Sequence, residues 1–472
     1  MFERFMNGAP HDPPAPLAGG PLLGTAAPPP ALPAPAAPAA ERPNRGAHNT
    51  QWLELKTRLH QRLLGILNLS AIDKVPAADL RREVATMVGE ILAEEGVALN
   101  AKEFAQITDE ILDEVLGLGP LEPLLKDPTV TDILVNTHQN VFVERRGKLE
   151  LTPVRFKDER HLLRIIDKIV SGVGRRVDES QPWVDARLPD GSRVNAIVPP
   201  CALDGSLLSI RKFAKIPLTI DRLIENGALT RKMAELLAGI VKARLNLIIS
   251  GGTGSGKTTM LNAASSFIGE RERVLTIEDA AELQLQQFHV ARLETRPSNI
   301  EGKGAVTQRD LVRNALRMRP DRIILGEIRG AEALDMLQAM NTGHDGSMTT
   351  IHANNCREAI GRLEQMLLMT GLDFPMRMIR AQIASAVDVV IQVERLSDGK
   401  RRLVSMHEIT GMEGEVVTMQ EIYRFRRTSV DAQGNVLGQF EATGIRPHFA
   451  ERLATYGITL SSEMFETNRR LS

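Results

Sequence analysis

Apolar residues recur at helical spacing in three successive segments near the start of the chain. The first segment repeats leucine at every fourth position, and the other two carry apolar residues three or four positions apart. The positions are Leu55, Leu59, Leu63 and Leu67, then Leu80, Val84, Met87, Val88 and Ile91, then Phe104, Ile107, Ile111 and Val115. Gly117, Gly119 and Pro120 end the third segment. The pattern predicts a small helical bundle over residues 51–118.

Between residues 119 and 216 the pattern changes to short apolar runs that alternate with polar residues, which is typical of strands. The predicted strands are residues 132–136, 141–145 and 149–151, with others within 181–211. One helix is predicted over residues 158–170. Its inner face comprises Leu162, Leu163, Ile166 and Ile169. The region is therefore predicted to form an N-terminal α+β domain over residues 119–216.

From residue 217 onward, strongly apolar strands alternate with helical segments, which implies a mainly parallel sheet with right-handed crossovers. The predicted strands are residues 245–249, 274–277, 289–293, 322–325 and 347–351. Later strands are predicted at residues 387–393, 402–409 and 421–425, with a hairpin turn at 397–399. We predict an α/β domain over residues 217–452 and a C-terminal tail over residues 453–472.

The first 50 residues differ in composition from the rest of the chain. They hold 12 of the 26 prolines, and proline, alanine and glycine together fill 29 of these 50 positions. Such a segment buries too little apolar surface to offset the entropy lost on ordering. We predict a disordered Pro/Ala-rich tail over residues 1–50, and we favour a spacer over a partner-binding role.

Composition excludes several classes of protein. The 472-residue chain carries 58 Lys and Arg against 59 Asp and Glu, which excludes a nucleic-acid binder driven by bulk positive charge. Cys201 and Cys356 are the only cysteines, which excludes a disulfide framework and a cysteine-rich zinc site. No apolar run reaches 18 residues and the first residues do not resemble a signal peptide, so the sequence predicts a cytoplasmic protein.

One glycine-rich segment carries a specific chemical signal. Residues 251–258 fit the pattern GxxxxGK[ST] and lie between a predicted strand and a predicted helix. The glycines let backbone N–H groups surround phosphate oxygens, Lys257 supplies a positive charge, and Thr258 supplies a hydroxyl for Mg²⁺. The predicted nucleotide-binding residues are Gly252, Thr253, Gly254, Ser255, Gly256, Lys257, Thr258 and Thr259.

Acidic residues and histidines lie beside three further predicted strands. They are Glu278, Asp279 and Glu282 after residues 274–277, Glu327 after residues 322–325, and His344 and His352 around residues 347–351. Residues 245–249 form the predicted strand that leads into the glycine-rich segment, the phosphate-loop strand. If the strand of residues 322–325 lies next to it, Glu327 is placed at the Mg²⁺ ion. A carboxylate of the first group can orient or deprotonate the attacking water. Both histidines are expected at the same edge of the sheet.

Four segments in this order resemble the Walker A, Asp-box, Walker B and His-box motifs of the secretion ATPases, which drive type II and type IV secretion and type IV pili. The segments are residues 251–258, 276–282, 326–329 and 342–354. Two more, residues 119–125 and 188–195, are similar to the tight-adherence (Tad) pilus branch, the CpaF-like ATPases. The resemblance covers about residues 50–452 and implies a RecA-like P-loop NTPase fold for the C-terminal domain.

The resemblance also implies roles for individual residues. Glu282 matches the general base, Glu327 the Walker B acid that binds Mg²⁺, and His352 the residue that senses the γ-phosphate. Arginines of the family's N-terminal domain reach the nucleotide, and the candidates here are Arg187, Arg193 and Arg211. The sequence does not decide among these three. Ala280 stands where the pilus-retraction branch usually has proline, which favours the Tad branch or a related type IV secretion branch.

The resemblance implies a homohexameric motor that hydrolyses ATP to ADP with Mg²⁺. It acts on inner-membrane pilus platform proteins from the cytoplasmic side, and whether it also retracts the pilus is open. A type IV secretion export ATPase and a nucleotide-gated scaffold without turnover remain alternatives. A GTPase is disfavoured because no Asn/Thr-Lys-x-Asp segment is present. Balanced charge and only 17 aromatic residues disfavour a nucleic-acid translocase.

Overall fold

The computed structural model describes residues 52, 55, 56, 58, 59, 62, 63, 77–115, 117–213, 218–298 and 303–467. The chain divides into the units Met1–Leu55 and Lys56–Ser472. In the first unit only residues 52 and 55 are described, and both are helical. The tail predicted over residues 1–50 lies outside the described residues.

Between residues 77 and 115, which the structure describes without a gap, two long helices precede the first sheet. They are α1 (Ala77–Glu94) and α2 (Ala101–Val115). Their buried apolar residues include Val84, Val88, Ile107 and Ile111, so the helical pattern is confirmed for these two segments. Leu67 of the first segment lies outside the described residues. Among the described helices, none combines the length and the apolar character that a bilayer crossing requires.

The N-terminal domain is an antiparallel six-stranded sheet with the order β3-β2-β1-β6-β5-β4. The strands are β1 (Val130–Thr137), β2 (Asn140–Arg145), β3 (Lys148–Leu151), β4 (Trp183–Arg187), β5 (Arg193–Ile197) and β6 (Leu207–Arg211). A 3₁₀ turn (Gly119–Leu121) and α3 (Glu122–Lys126) precede β1. The α+β prediction for this region is confirmed.

Helix α4 (Glu159–Ser171) packs its apolar face on this sheet. Its buried residues include Leu162, Ile166 and Ile169, as predicted. Ile165 is buried where Leu163 was expected, and Leu163 is only half-buried. The buried stripe follows positions 162, 165, 166 and 169 around the helix, which leaves position 163 at its border.

The C-terminal domain is built on a nine-stranded sheet with the order β15-β14-β13-β12-β7-β11-β10-β8-β9. The strands are β7 (Leu247–Gly251), β8 (Val274–Glu278), β9 (Val290–Glu294), β10 (Arg322–Ile328), β11 (Met348–Ile351), β12 (Val389–Arg395), β13 (Arg401–Glu413), β14 (Val416–Val430) and β15 (Val436–Ala442). Strands β7 to β12 pair in parallel and β12 to β15 pair antiparallel. The predicted parallel sheet is confirmed, and β15 is an additional strand.

Helices cover both faces of the parallel part of this sheet, which buries β7 and β8 along their whole length. The helices of the domain are α5 (Ile220–Glu225), α6 (Arg231–Lys242), α7 (Lys257–Ser265), α8 (Gln308–Ala315), α9 (Glu332–Asn341), α10 (Cys356–Leu368), α11 (Met376–Ala386) and α12 (Ala450–Thr455). This architecture confirms the α/β fold class. Because the strands are parallel, all their carboxyl ends meet at one edge of the sheet.

The segment after residue 452 packs on the domain instead of leaving it as a tail. Leu453, Leu460 and Phe465 are buried in the same apolar core as α6 and α7. The Tyr423 hydroxyl donates a hydrogen bond to the Met464 carbonyl at 2.9 Å. Residues 453–467 therefore differ from the predicted tail because their apolar side chains find a partner surface. The predicted domain bounds at residues 50, 118, 216 and 452 stay predictions.

Glu114, at the end of α2, connects the helical region to the N-terminal domain. Its side chain is only 6% exposed, accepts a hydrogen bond from His161 of α4, and lies 3.1 Å from the Lys56 ammonium. Burial alone would raise the pKa of Glu114, but the His161 hydrogen bond and the Lys56 charge lower it to about 2. Because the pKa is lowered, the stabilisation is complete above pH 4.5 and is lost as the pH falls toward 2.

We expect Glu114→Gln to lower the free energy of unfolding by about 3 kcal/mol at pH 7, because His161 and Lys56 lose their ionised partner. The difference between variant and wild type should shrink at pH 4, where part of this stabilisation is already lost. Urea unfolding at both pH values measures it, with Glu83→Gln, an exposed carboxylate of α1, as the control. A difference that grows on acidification contradicts the assignment.

Candidate nucleotide-binding site

The glycine-rich segment forms a compact loop between β7 and α7. Gly254 and Gly256 have φ angles of 68° and 94°, in the left-handed region that favours glycine. A Cβ atom on Gly251 would lie 2.4 Å from the Val393 carbonyl oxygen, so the start of the loop has no room for a side chain. Gly256 is the N-cap of α7, and no side chain caps this helix. The first N–H groups of α7 can therefore bind an anion.

Lys257 is the first residue of α7, and its side chain folds back over the loop. The ammonium donates hydrogen bonds of 3.0 Å to the carbonyls of Gly251 and Gly252, and it lies 3.1 Å from Nε2 of His352. Burial lowers the pKa of Lys257 to about 8, against the opposing attraction of Glu327. The structure thus brings together three of the predicted residues, Lys257, His352 and Glu327.

Glu327 lies near the end of β10 and is surrounded by cationic and polar groups. Its carboxylate is 3.3 Å from Nε2 of His352 and 3.0 Å from the Arg329 guanidinium. Burial alone would raise the pKa of Glu327, but the charges of Arg329 and Lys257 hold it below its ordinary value. Burial and the neighbouring Lys257 lower the pKa of His352, which favours the neutral imidazole. The Glu327 carboxylate therefore remains ionised next to a neutral histidine.

The order of the strands corrects one sequence expectation. Strand β10, which carries Glu327, does not lie next to the phosphate-loop strand β7, because β11 lies between them. His352 follows β11 directly and bridges the gap, within 3.3 Å of both Lys257 and Glu327. The acid therefore reaches the loop across one strand, with a histidine in between.

His344 does not belong to the site, contrary to the expectation that both histidines share an edge. It precedes β11 and therefore lies at the amino end of that strand, whereas the phosphate loop follows the carboxyl end of β7. Its backbone carbonyl accepts a hydrogen bond of 2.7 Å from the Ser347 hydroxyl. A histidine before a parallel strand and one after it lie at opposite edges of the sheet.

Glu282 lies in the segment after β8 and is paired with an arginine of the N-terminal domain. Its carboxylate lies 2.9 Å from Nη1 of Arg193, and Nη2 of the same guanidinium donates a hydrogen bond of 2.7 Å to the Ala280 carbonyl. Both side chains are about one-third exposed, at 35% for Arg193 and 28% for Glu282. Arg193 is thus the arginine that the structure brings to the Asp-box segment.

The three candidate arginines form a row across the six-stranded sheet. Arg193 of β5 is the register partner of Arg187 on β4 and of Arg211 on β6. Arg187 pairs with Glu294 of β9 at 3.1 Å, and Arg211 pairs with Asp132 of β1 at 3.1 Å. Arg211 is therefore paired inside its own domain. Arg187 contacts the C-terminal domain at β9, which is an edge strand of the nine-stranded sheet.

Glu278 shapes the segment that carries Glu282. Its side chain is 3% exposed, and its Oε2 accepts hydrogen bonds from the backbone N–H groups of Glu282 at 2.6 Å and Leu283 at 2.9 Å. Burial raises the pKa of Glu278. A Cβ atom on Gly326 would lie 3.0 Å from Cγ of Glu278, which accounts for the glycine before Glu327.

Two of the described side chains beside the glycine-rich loop could bind Mg²⁺. Within the described ranges, no group of three or more His, Cys, Asp or Glu side chains is arranged to hold a metal ion. Mg²⁺ in phosphate sites is usually bound by one or two protein ligands together with phosphate oxygens and water. Thr258 in the first turn of α7 and the ionised Glu327 fit this requirement.

Sequence reasoning missed the role of Arg329. Its guanidinium donates to Glu327 at 3.0 Å and also lies 3.4 Å from the Asp279 carboxylate, so it joins the Walker B and Asp-box segments. Arg329 belongs to residues 326–329, the segment that resembles the Walker B motif. Its position two residues after Glu327 near a strand end was the one sequence feature that indicated a contact between the two side chains. A link to Asp279 requires that β8 and β10 be neighbours, which the tertiary structure provides.

Comparisons with known proteins identify related sequences over most of the chain. The family model described as type II/IV secretion system protein matches residues 114–434. A second model, described as type II secretion system protein E, N-terminal domain, matches residues 52–116.

A putative conjugal transfer protein of Mycobacterium tuberculosis is 41% identical over 325 residues, which cover 68% of this chain and 92% of the relative. The type IV secretion system protein VirB11 of Brucella suis is 33% identical over 316 residues, which cover 61% of this chain and 88% of the relative. The crystal structure of the Brucella suis VirB11 ATPase in complex with sulphate aligns with a TM-score of 0.34 and 32% identity, covering 62% of this chain and 93% of that one.

Proposed function

The chain belongs to the type II/IV secretion system protein family, and on that premise we propose that it is an ATPase motor. The observation that carries the proposal is the continuous set of contacts from the phosphate loop to the Walker B acid. At the carboxyl edge of the parallel sheet, Nζ of Lys257 lies 3.1 Å from Nε2 of His352, and the same Nε2 lies 3.3 Å from the Glu327 carboxylate. A phosphate-binding loop beside an ionised carboxylate provides two of the parts that nucleoside triphosphate hydrolysis uses.

Each side chain has a definite task in this proposal. Lys257 and the N–H groups of the loop bind the β- and γ-phosphates. Arg193 stabilises the negative charge that develops on the γ-phosphate. Glu282 accepts a proton from the attacking water, and its position in the segment after β8 places it next to Arg193. Bound Mg²⁺, held by Thr258 and Glu327, would neutralise charge on the phosphate oxygens.

The arginine comes from the N-terminal domain and the base from the C-terminal domain, so hydrolysis is coupled to the position of one domain on the other. When the γ-phosphate leaves, Arg193 loses its anionic partner there and is free to re-pair with Glu282. We infer that this exchange moves the two domains and produces mechanical work. The resemblance to secretion ATPases supports a homohexameric ring for this motor.

Within the family, we propose assembly of a Tad or related type IV pilus, with inner-membrane platform proteins as partners and a cytoplasmic, membrane-peripheral location. Support comes from residues 119–125 and 188–195, which are similar to the Tad branch. A type IV secretion export ATPase is the second candidate, because the named relatives include a conjugal transfer protein and VirB11.

Lys257→Ala is expected to weaken ATP binding about 30-fold or more, because a buried site built around this cation loses its charge-assisted hydrogen bonds. Titration calorimetry with Mg-ATP and a phosphate-release assay measure the effect. Lys242→Ala, an exposed lysine at the end of α6, is the matched control. Wild-type protein that binds ATP but releases no phosphate would favour the nucleotide-gated scaffold over the motor.

A further inference from the structure

The sheet order fixes the direction in which a nucleotide extends from the phosphate loop. The loop follows β7, and the groups proposed to act on the γ-phosphate follow β11, β10 and β8, all on one side of β7. A triphosphate is a linear chain. With the β-phosphate in the loop and the γ-phosphate on the side of β11, the α-phosphate and the nucleoside must lie on the opposite side of the loop. The nucleoside therefore extends toward β12 and β13, on the opposite side of β7.

Two arginines of these strands contact the phosphate loop. Arg401, the first residue of β13, donates a hydrogen bond of 3.0 Å from Nε to the Gly254 carbonyl, and its Cδ would lie 3.4 Å from a Cβ atom on Gly256. Arg395, the last residue of β12, brings Nη1 to 3.6 Å from the position of a Cβ atom on Gly254. Both guanidinium groups thus border the loop on the side away from Glu327.

The N-terminal domain contacts the C-terminal domain next to Arg395 and Arg401. The turn between β2 and β3 packs on the turn between β12 and β13. The Gly147 carbonyl of the first turn accepts a hydrogen bond from Arg395, and a Cβ atom on Gly399 of the second turn would lie 3.8 Å from the Arg146 carbonyl oxygen. A nucleoside that extends in this direction therefore reaches the junction of two hairpin turns, one from each domain.

The charges at this junction are only partly balanced. Arg395 and Arg401 share one carboxylate oxygen of Glu144, each at 3.8 Å, which is beyond hydrogen-bonding distance. The guanidinium-bearing side chains are 31% and 44% exposed, whereas Glu144 is 17% exposed. Two planar cations that remain accessible can pack against the π face of a base and donate to ribose oxygens.

We propose that Arg395 and Arg401 bind the nucleoside part of the nucleotide, and that Glu144 of the N-terminal domain, which lies between the two guanidinium groups, keeps both of them at this junction. This inference rests on the proposed ATPase function, because it uses the direction set by the γ-phosphate groups. The nucleoside then touches both domains, and nucleotide binding is coupled to the contact between the two hairpin turns.

The test compares two probes that differ only by adenosine, namely ADP and inorganic pyrophosphate. Arg395→Gln and Arg401→Gln should each weaken ADP binding about tenfold in titration calorimetry and leave pyrophosphate binding unchanged. Lys257→Ala should weaken both probes. Arg426→Gln, an exposed arginine of β14 in the same sheet, is the matched control and should bind both probes as the wild type does.

Two results overturn the inference while leaving the proposed function intact. The first is unchanged ADP affinity in both variants. The second is an equal loss of ADP and pyrophosphate affinity, which shows that the arginines only shape the phosphate loop through the Gly254 contact. Wild-type protein that binds neither ADP nor Mg-ATP overturns the proposed function itself and the inference with it.

Discussion

Replacing Arg193 by alanine is expected to slow ATP hydrolysis about 1,000-fold while changing ADP affinity little. An arginine that neutralises the γ-phosphate contributes mainly in the transition state, and its removal costs on the order of 10³-fold or more in rate. Arg193 is the candidate because its guanidinium lies 2.9 Å from Glu282, in contact with the segment that follows β8. Single-turnover phosphate release at saturating Mg-ATP measures the loss.

The neighbouring arginines make this experiment specific. Arg211 is paired with Asp132 inside the N-terminal domain, and Arg187 is paired with Glu294 at the edge strand, so their alanine variants should lose far less activity. Arg176, an exposed arginine of the same domain, supplies the control for a lost surface charge. If Arg187→Ala or Arg211→Ala proves slower than Arg193→Ala, the assignment of Arg193 to the γ-phosphate is wrong.

Glu282→Gln is expected to bind Mg-ATP with nearly wild-type affinity and to lose about 100-fold or more in turnover. The amide keeps the shape of the side chain but accepts no proton from water, and general-base catalysis is worth 10² to 10⁴. The backbone around position 282 should be preserved, because Glu278 accepts hydrogen bonds from the backbone N–H groups of residues 282 and 283. These bonds do not involve the side chain at position 282.

Glu327→Gln should fail in a different way. Its carboxylate is the ionised group beside the glycine-rich loop and the proposed ligand of Mg²⁺. The amide should therefore raise the Mg²⁺ concentration needed for half-maximal turnover. A magnesium titration of both variants separates the two roles. The same Mg²⁺ dependence and the same loss of rate in both variants would contradict the division of roles between them.

Much of this molecule was accessible from local sequence patterns. The alternating strands and helices after residue 217 predicted the parallel sheet, and GxxxxGK[ST] predicted the loop between β7 and α7. The same pattern predicted Lys257, and positions beside predicted strands predicted Glu327 and His352. Glu327 and His352 lie close together because a parallel sheet brings all carboxyl ends to one edge, whatever the order of its strands.

The order of the strands was not accessible in this way. The sequence suggested that the strand of Glu327 adjoins β7, whereas β11 lies between them. His344 was expected at the same edge as His352, although it precedes β11 and His352 follows it. Pairing between strands depends on contacts between residues about 25 to 100 positions apart, and no local pattern records them.

The sequence by itself determined the fold class, the glycine-rich loop between β7 and α7 and the set of candidate side chains, because helical and strand periodicity and loop chemistry are local properties. Only the tertiary structure decided which side chains meet. It selected Arg193 from three arginines in one register row, since β5 is the strand whose arginine reaches Glu282. It also placed Arg395 and Arg401 beside Gly254, because the pairing of β12 with β7 lies in the packing of the sheet and not in any local motif.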